Sequence, residues 1–145
     1  MVEERRARVM GSDAHLIVVG GAHDLADTAI ERVRDLERRW SRFLPDSEVS
    51  RANANAGGWT RVSPATVALV ERAELARRCT AGRFDPTLLA KVRAAGYDRS
   101  FDLLGGPGRG STAGAALTAT RDVDGTTEVL VDRAACSILV PRGVG

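Results

Sequence analysis

A run of apolar residues at helical spacing, entered at Asp24 and halted by Pro45, constrains this chain more than any other feature. Leu25, Ala29, Ile30, Val33, Leu36, Trp40, Phe43 and Leu44 fall on one stripe. The other side carries Glu31, Arg32, Arg34, Asp35, Glu37, Arg38 and Arg39. This pattern predicts one long amphipathic helix capped by Asp24, with a charged face turned to water or to a docking partner. Acids precede bases along it, which suits the helix dipole, and Asp35 with Arg39 makes a favourable i, i+4 pair. Pro45 cannot continue the helix and pushes Leu44 out of helical geometry. Asp46, Ser47, Glu48 and Ser50 follow as the short polar groups of a turn. Trp40 and Phe43 therefore stand beside a polar cluster. That juxtaposition reads either as a packed helix end or as the wall and rim of a small-molecule pocket.

The flanking segments fill in around this helix. Arg6 to Met10 and His15 to Val19 lean toward strand, and Gly11-Ser12-Asp13 between them reads as a turn, a bulge or a place where backbone meets a ligand. Asn53 to Gly58 is a loop, and Trp59 to Val62 a brief extended lead. Ser63 is an N-cap with Pro64 at the first helical position, and Val62 is placed to staple Val67. That second helix runs to an αL cap at Gly82. Asp85 caps a short helix opened by Pro86 and ending near Gly96; Tyr97 to Asp102 is polar and irregular. Gly105 to Gly114 mimics part of a phosphate loop. Ser111 stands where its lysine belongs, so the stretch reads as a flexible surface loop. Ala116 to Val123, Glu128 to Val131 and Cys136 to Val140 read as strands, the first two joined at the Asp124-Gly125 turn. Helices and strands alternate irregularly, so the fold class is α+β, with residues 1–145 as a single domain.

Composition excludes several functions. The net charge is +2, from 21 basic and 19 acidic residues that interleave along the chain. Nothing there calls for a nucleic-acid partner. No apolar segment is long enough for a membrane span, and none follows the polar Met1 to Arg6 as a signal peptide would, so a cytoplasmic location is expected. Cys79 and Cys136 are isolated thiols, which fits a reducing compartment. With His15 and His23 they lack zinc spacing. Ser47 and Ser50 have no adjacent base, so local chemistry alone identifies no nucleophile and no enzyme.

Four ordered motifs carry more. They are Met10-Gly11-Ser12, the run from Leu36 through Trp40-Ser-Arg-Phe-Leu-Pro-Asp-Ser-Glu-Val-Ser-Arg51, Val62-Ser-Pro64, and Gly82-Arg-Phe-Asp-Pro-Thr87. Together they resemble the N-terminal half of the ApbE family, the FAD:protein FMN transferases. The resemblance implies a T-fold-related layer of antiparallel strands with two main helices, incomplete at its C-terminal side. It implies binding of FAD and Mg²⁺, cleavage of the pyrophosphate, and transfer of FMN to a Thr or Ser hydroxyl of a target flavoprotein, with AMP released. Chemistry of this kind depends on positioning and on neutralised phosphates.

By the same resemblance Met10 lines the FAD pocket and Phe43 packs on the cofactor. Arg83, Phe84 and Asp85 contact the nucleotide, with Asp85 the chief polar partner. The polar turn becomes a pocket rim and Trp40 a core residue. Ser12 replaces the commoner Thr and keeps its hydroxyl. The family's Gly-Gly motif with its lysine, a His-containing segment and the Mg²⁺-binding Asp and Thr residues come after the position of Gly145. No catalytic residue and no metal ligand is therefore assigned here, and the Mg²⁺ ligands are expected outside this chain. A sheet lacking half its strands is expected to expose apolar surface, which favours association, a homo-oligomer being one form of it, or instability. The alternative is a non-catalytic flavin-binding or protein-interaction module.

Overall fold

The computed structural model describes residues 2–99 and 128–143. The chain opens with an antiparallel ribbon of β1 (Val2–Val9) and β2 (Ser12–Val19), paired from Val2↔Val19 to Val9↔Ser12. Met10 and Gly11 form its two-residue turn at φ 52° and 71°. Two successive positive φ values match the right-handed twist of paired strands. β1 begins four residues earlier than its propensity suggests. Glu3, Glu4 and Arg5 are poor strand formers, but pairing with the β-rich Leu16–Val19 recruits them.

One face of the ribbon packs against α1 (Leu25–Trp40). Val9 of β1 and Ala26 and Ile30 of α1 are buried there. Arg5 binds Asp27 through two bonds, of 2.6 and 2.9 Å. The predicted Asp35–Arg39 pair is present at 2.9 Å. Asp24 stands at the N-cap without a side-chain bond.

α1 ends at Trp40, short of the expected Leu44. Ser41 is extended, and its hydroxyl accepts from the Phe43 amide at 3.3 Å. This local capture releases the chain before Pro45 acts. The polar stretch beyond Pro45 is likewise more than a turn. Ser47 caps a further helix, α2 (Glu48–Ala54), accepting from the Ser50 amide at 3.0 Å. Seven residues are too few to show a helical period in sequence.

The larger core lies beyond α2. Ala52 of α2, Val62, Val67 of α3 (Pro64–Cys79), Ile138 and Val140 form one buried cluster. Val62 and Val67, the two positions a hydrophobic staple uses, both belong to it. β3 (Trp59–Arg61), β4 (Leu130–Asp132) and β5 (Ser137–Leu139) make a three-stranded antiparallel sheet in the order β3-β5-β4. The Gly57 amide extends the ladder by donating to the Val140 carbonyl at 2.8 Å. Gly57 lies at φ 89°, a conformation that strains any residue with a Cβ. The expected strand at 116–123, its Asp124-Gly125 turn and the loop at 105–114 lie outside the described residues. Among the described residues the architecture is α+β, two antiparallel sheets with two long helices and two short ones.

Two helices end in Schellman-type caps. Beyond α3 the Gly82 amide reaches the Arg77 carbonyl at 2.9 Å and the Ala81 amide reaches Arg78 at 3.1 Å. The left-handed turn past the cap therefore begins at Ala81, at φ 50°, one residue before the expected Gly82, which is itself left-handed at φ 79°. Beyond α4 (Leu89–Ala94) the same bonds run from Tyr97 to Val92 and from Gly96 to Arg93, with Gly96 at φ 94°.

Candidate functional site

Three segments converge on a cleft of about 1080 Å³. The β1–β2 turn brings Met10 and Gly11. The end of α1 and the turn after it bring Glu37, Arg38 and Trp40 to Leu44. The last helix brings Leu89, Arg93 and, past its cap, Tyr97 to Arg99.

Met10 is held from both sides of its backbone. Its positive φ is set by the ribbon turn, and its amide donates to Glu37 Oε1 at 2.7 Å. The side chain is half exposed at the cleft edge. Phe43 and Tyr97 face each other edge to face, 5.9 Å between centroids. Arg42 lies against both rings, its guanidinium carbon 4.2 Å from the Phe43 centroid and 4.4 Å from that of Tyr97. It also donates to the Tyr97 carbonyl at 2.6 Å. Arg42 thus ties the wall built by α1 to the wall built by α4, through cation–π contact and a charged hydrogen bond.

Charge in the cleft is unbalanced. Arg38, Arg42, Arg93 and Arg99 line it against Glu37 and Asp98. Asp98 is paired with Arg99 at 2.9 and 3.1 Å, and the Arg99 hydrogen bond holds its carboxyl below the usual carboxylate range. An apolar wall with surplus arginine suits a ligand that is planar at one end and anionic at the other.

Trp40 belongs to this wall and not to the core. It is half-buried, it lines the cleft, and its indole Nε1 donates to Thr66 Oγ1 at 2.9 Å. The polar run after Pro45 does not form a rim. Ser47 is 1% exposed as a helix cap, and Glu48 points at the start of α3. There its Oε2 accepts from the Ser63 amide at 2.9 Å, from the Ser63 hydroxyl at 2.9 Å and from the Thr66 hydroxyl. A capping box usually draws the carboxylate from the helix being capped; here another helix supplies it. Burial pushes the Glu48 carboxyl up, but the donors from Thr66 and Ser63, with Arg39 nearby, outweigh it and leave the pKa below the ordinary value.

Of the residues expected at the site, Met10 and Phe43 share the cleft. Arg83, Phe84 and Asp85 do not line it. The Phe84 amide donates to Thr80 Oγ1 at 3.0 Å. Asp85 Oδ1 accepts from the Thr87 amide at 2.8 Å and the Thr87 hydroxyl at 2.6 Å. That turn sets the entry to α4, which begins at Leu89 without a side-chain cap. Arg42 and Tyr97 were hidden from sequence reasoning. Arg42 sits in a charged stretch, and Tyr97 stands alone in a polar one; its place straight after the cap at Gly96 was the available signal. No group of three or more His, Cys, Asp or Glu able to hold a metal is found among the described residues. Among them, too, no helix is long and apolar enough to cross a membrane.

The fold matches a crystal structure of the ApbE protein of Thermotoga maritima with a TM-score of 0.75 and 20% sequence identity, over 99% of this chain and 46% of that one. The chain thus spans less than half the length of that structure, and the likeness establishes the fold. A comparison with curated proteins found no match. A sequence model of the ApbE family matches residues 10–135, from the cleft-lining Met10 through to the turn between β4 and β5, and the chain belongs to the ApbE family.

Proposed function

We propose that the cleft holds FAD as the donor in FMN transfer to a Thr or Ser hydroxyl of a target flavoprotein. The observation that carries this reading is the pairing of an aromatic wall, Trp40, Phe43 and Tyr97, with four arginines in one cleft. A flavin ring needs the first and a pyrophosphate the second. In this reading Met10 and Phe43 contact the cofactor. Asp85, with Arg83 and Phe84 beside it, positions α4 and so acts on Arg93 and Tyr97 from outside the cleft. During transfer the acceptor oxygen bonds to the FMN phosphorus and gives up its hydroxyl proton to solvent, the pyrophosphate bridge breaks, and AMP leaves with the bridging oxygen. Mg²⁺ would neutralise the phosphates in such a reaction; no step is assigned to a protein ligand for it.

The test is a titration of the chain with FAD, read by flavin fluorescence, followed by incubation with Mg²⁺ and an acceptor flavoprotein. Saturable binding, loss of it in Phe43→Ala, and an acceptor mass gain equal to FMN with release of AMP support the proposal. Saturable binding without transfer supports the flavin-binding module instead. No saturation removes both.

A further inference from the structure

We infer that Thr66, buried in α3 and outside the cleft, is a positioning residue that fixes the Trp40 indole as part of the cleft wall. The inference rests on the reading of the cleft as a flavin site. Thr66 is fully buried, so no water can replace its partners. Its hydroxyl has one proton. Glu48 Oε2 is a carboxylate oxygen that only accepts, and it already takes bonds from the Ser63 amide and hydroxyl. Thr66 therefore donates to Glu48, which leaves its two lone pairs to accept, one of them toward the Ser63 hydroxyl 3.2 Å away. The indole Nε1–H fills the other at 2.9 Å.

The direction of this hydrogen-bond chain is fixed at its Glu48 end. An ionised Glu48 orients the Thr66 hydroxyl, and the oriented hydroxyl offers its acceptor side to Trp40. The indole then has one satisfied orientation, with its ring on the cleft and its N–H in the protein. Three helices meet in the arrangement: Glu48 from α2, Thr66 from the first turn of α3, and Trp40 from the last turn of α1. The same bonds that cap α3 therefore set the wall of a cleft that α3 does not line.

The experiment uses the whole chain carrying Trp59→Phe, which removes the half-exposed second tryptophan and leaves Trp40 as the only indole emitter. Thr66→Val keeps the shape and removes the hydroxyl; Thr66→Ser restores it. The expected result for Thr66→Val is emission shifted to shorter wavelength and FAD binding weakened about fivefold, the scale of one lost hydrogen bond. Thr66→Ser should stay within about twofold of the parent in affinity and match its emission, again on the scale of a retained bond. A folded Thr66→Val chain with unchanged emission and affinity overturns the inference. Hydrogen exchange of the Trp40 indole N–H in the unsubstituted chain decides the matter even if Thr66→Val fails to fold. Slow exchange relative to the Trp59 indole is expected, and equal rates overturn it. A parent that binds no FAD removes the flavin reading, while indole exchange still reports on the Thr66 bond.

Discussion

At the scale of single residues, two side chains have roles that their types do not advertise. Glu48 is a charged residue whose carboxylate gathers three donors and an arginine at the start of another helix. Its folded pKa lies below the ordinary value of 4.5. A lowered carboxylate pKa gives stability that is intact above the unfolded value and is lost as pH falls through the folded one. Glu48→Gln should therefore destabilise by about 1–3 kcal/mol near neutral pH, the cost of weakening charged hydrogen bonds at a buried site. That difference from the parent should narrow below about pH 4.5. Denaturant melts of both proteins across pH 3 to 7 measure it, and a gap that widens toward acid contradicts the assignment. Met10 is the second case. A side chain at φ 52° costs about 1 kcal/mol relative to a residue that tolerates the left-handed region. Met10→Asn should stabilise the chain by about that amount while weakening FAD binding, because the turn relaxes as the wall loses its thioether. Chemical denaturation beside an FAD titration measures both effects, and a variant less stable than the parent contradicts the first.

At the scale of elements, the two long helices were legible and their ends were not. Periodicity located α1 and α3 because an apolar stripe repeats over several turns in each. The exit of α1 turned on one hydroxyl, Ser41, acting four residues before the proline that the sequence pointed to. α2 was missed because a seven-residue helix shows no period, although its cap, Ser47, was in plain view as a turn residue. The exit of α3 turns left-handed one residue before the expected glycine. Gly82 does lie at φ 79°, but Ala81 precedes it at φ 50°. Ala81→Gly should accordingly raise stability by about 1 kcal/mol, since glycine adopts φ 50° without steric cost. The equivalent Gly96→Ala should lower stability by a similar amount at the exit of α4. Thermal melts of both variants test the pair, and equal signs would show that the two exits are not the same motif.

At the scale of the whole molecule, the cleft is a meeting of pieces far apart in sequence. Its arginine surplus makes one further outcome testable. FAD affinity should fall as salt rises from about 0.05 to 0.5 M, while riboflavin, which lacks the phosphates, should bind with little salt dependence. Parallel titrations of the two ligands measure this, and equal salt slopes would mean that the arginines do not meet the phosphates. The sequence by itself determined the α+β class, the two long helices and the ordered motifs, Met10 and Phe43 among them, that mark the ApbE family. Those properties are carried by local periodicity, local turn chemistry and the order of short motifs, all of which act within a few residues. Only the tertiary structure decided that Arg42 bridges to Tyr97, 55 positions away, and that Glu48 caps α3 across 15. It also moved Trp40 from the core to the cleft and kept Arg83 to Asp85 out of it. Those outcomes depend on how α1, α2, α3 and α4 pack, and the partner of a polar side chain is chosen by that packing and not by its neighbours in sequence.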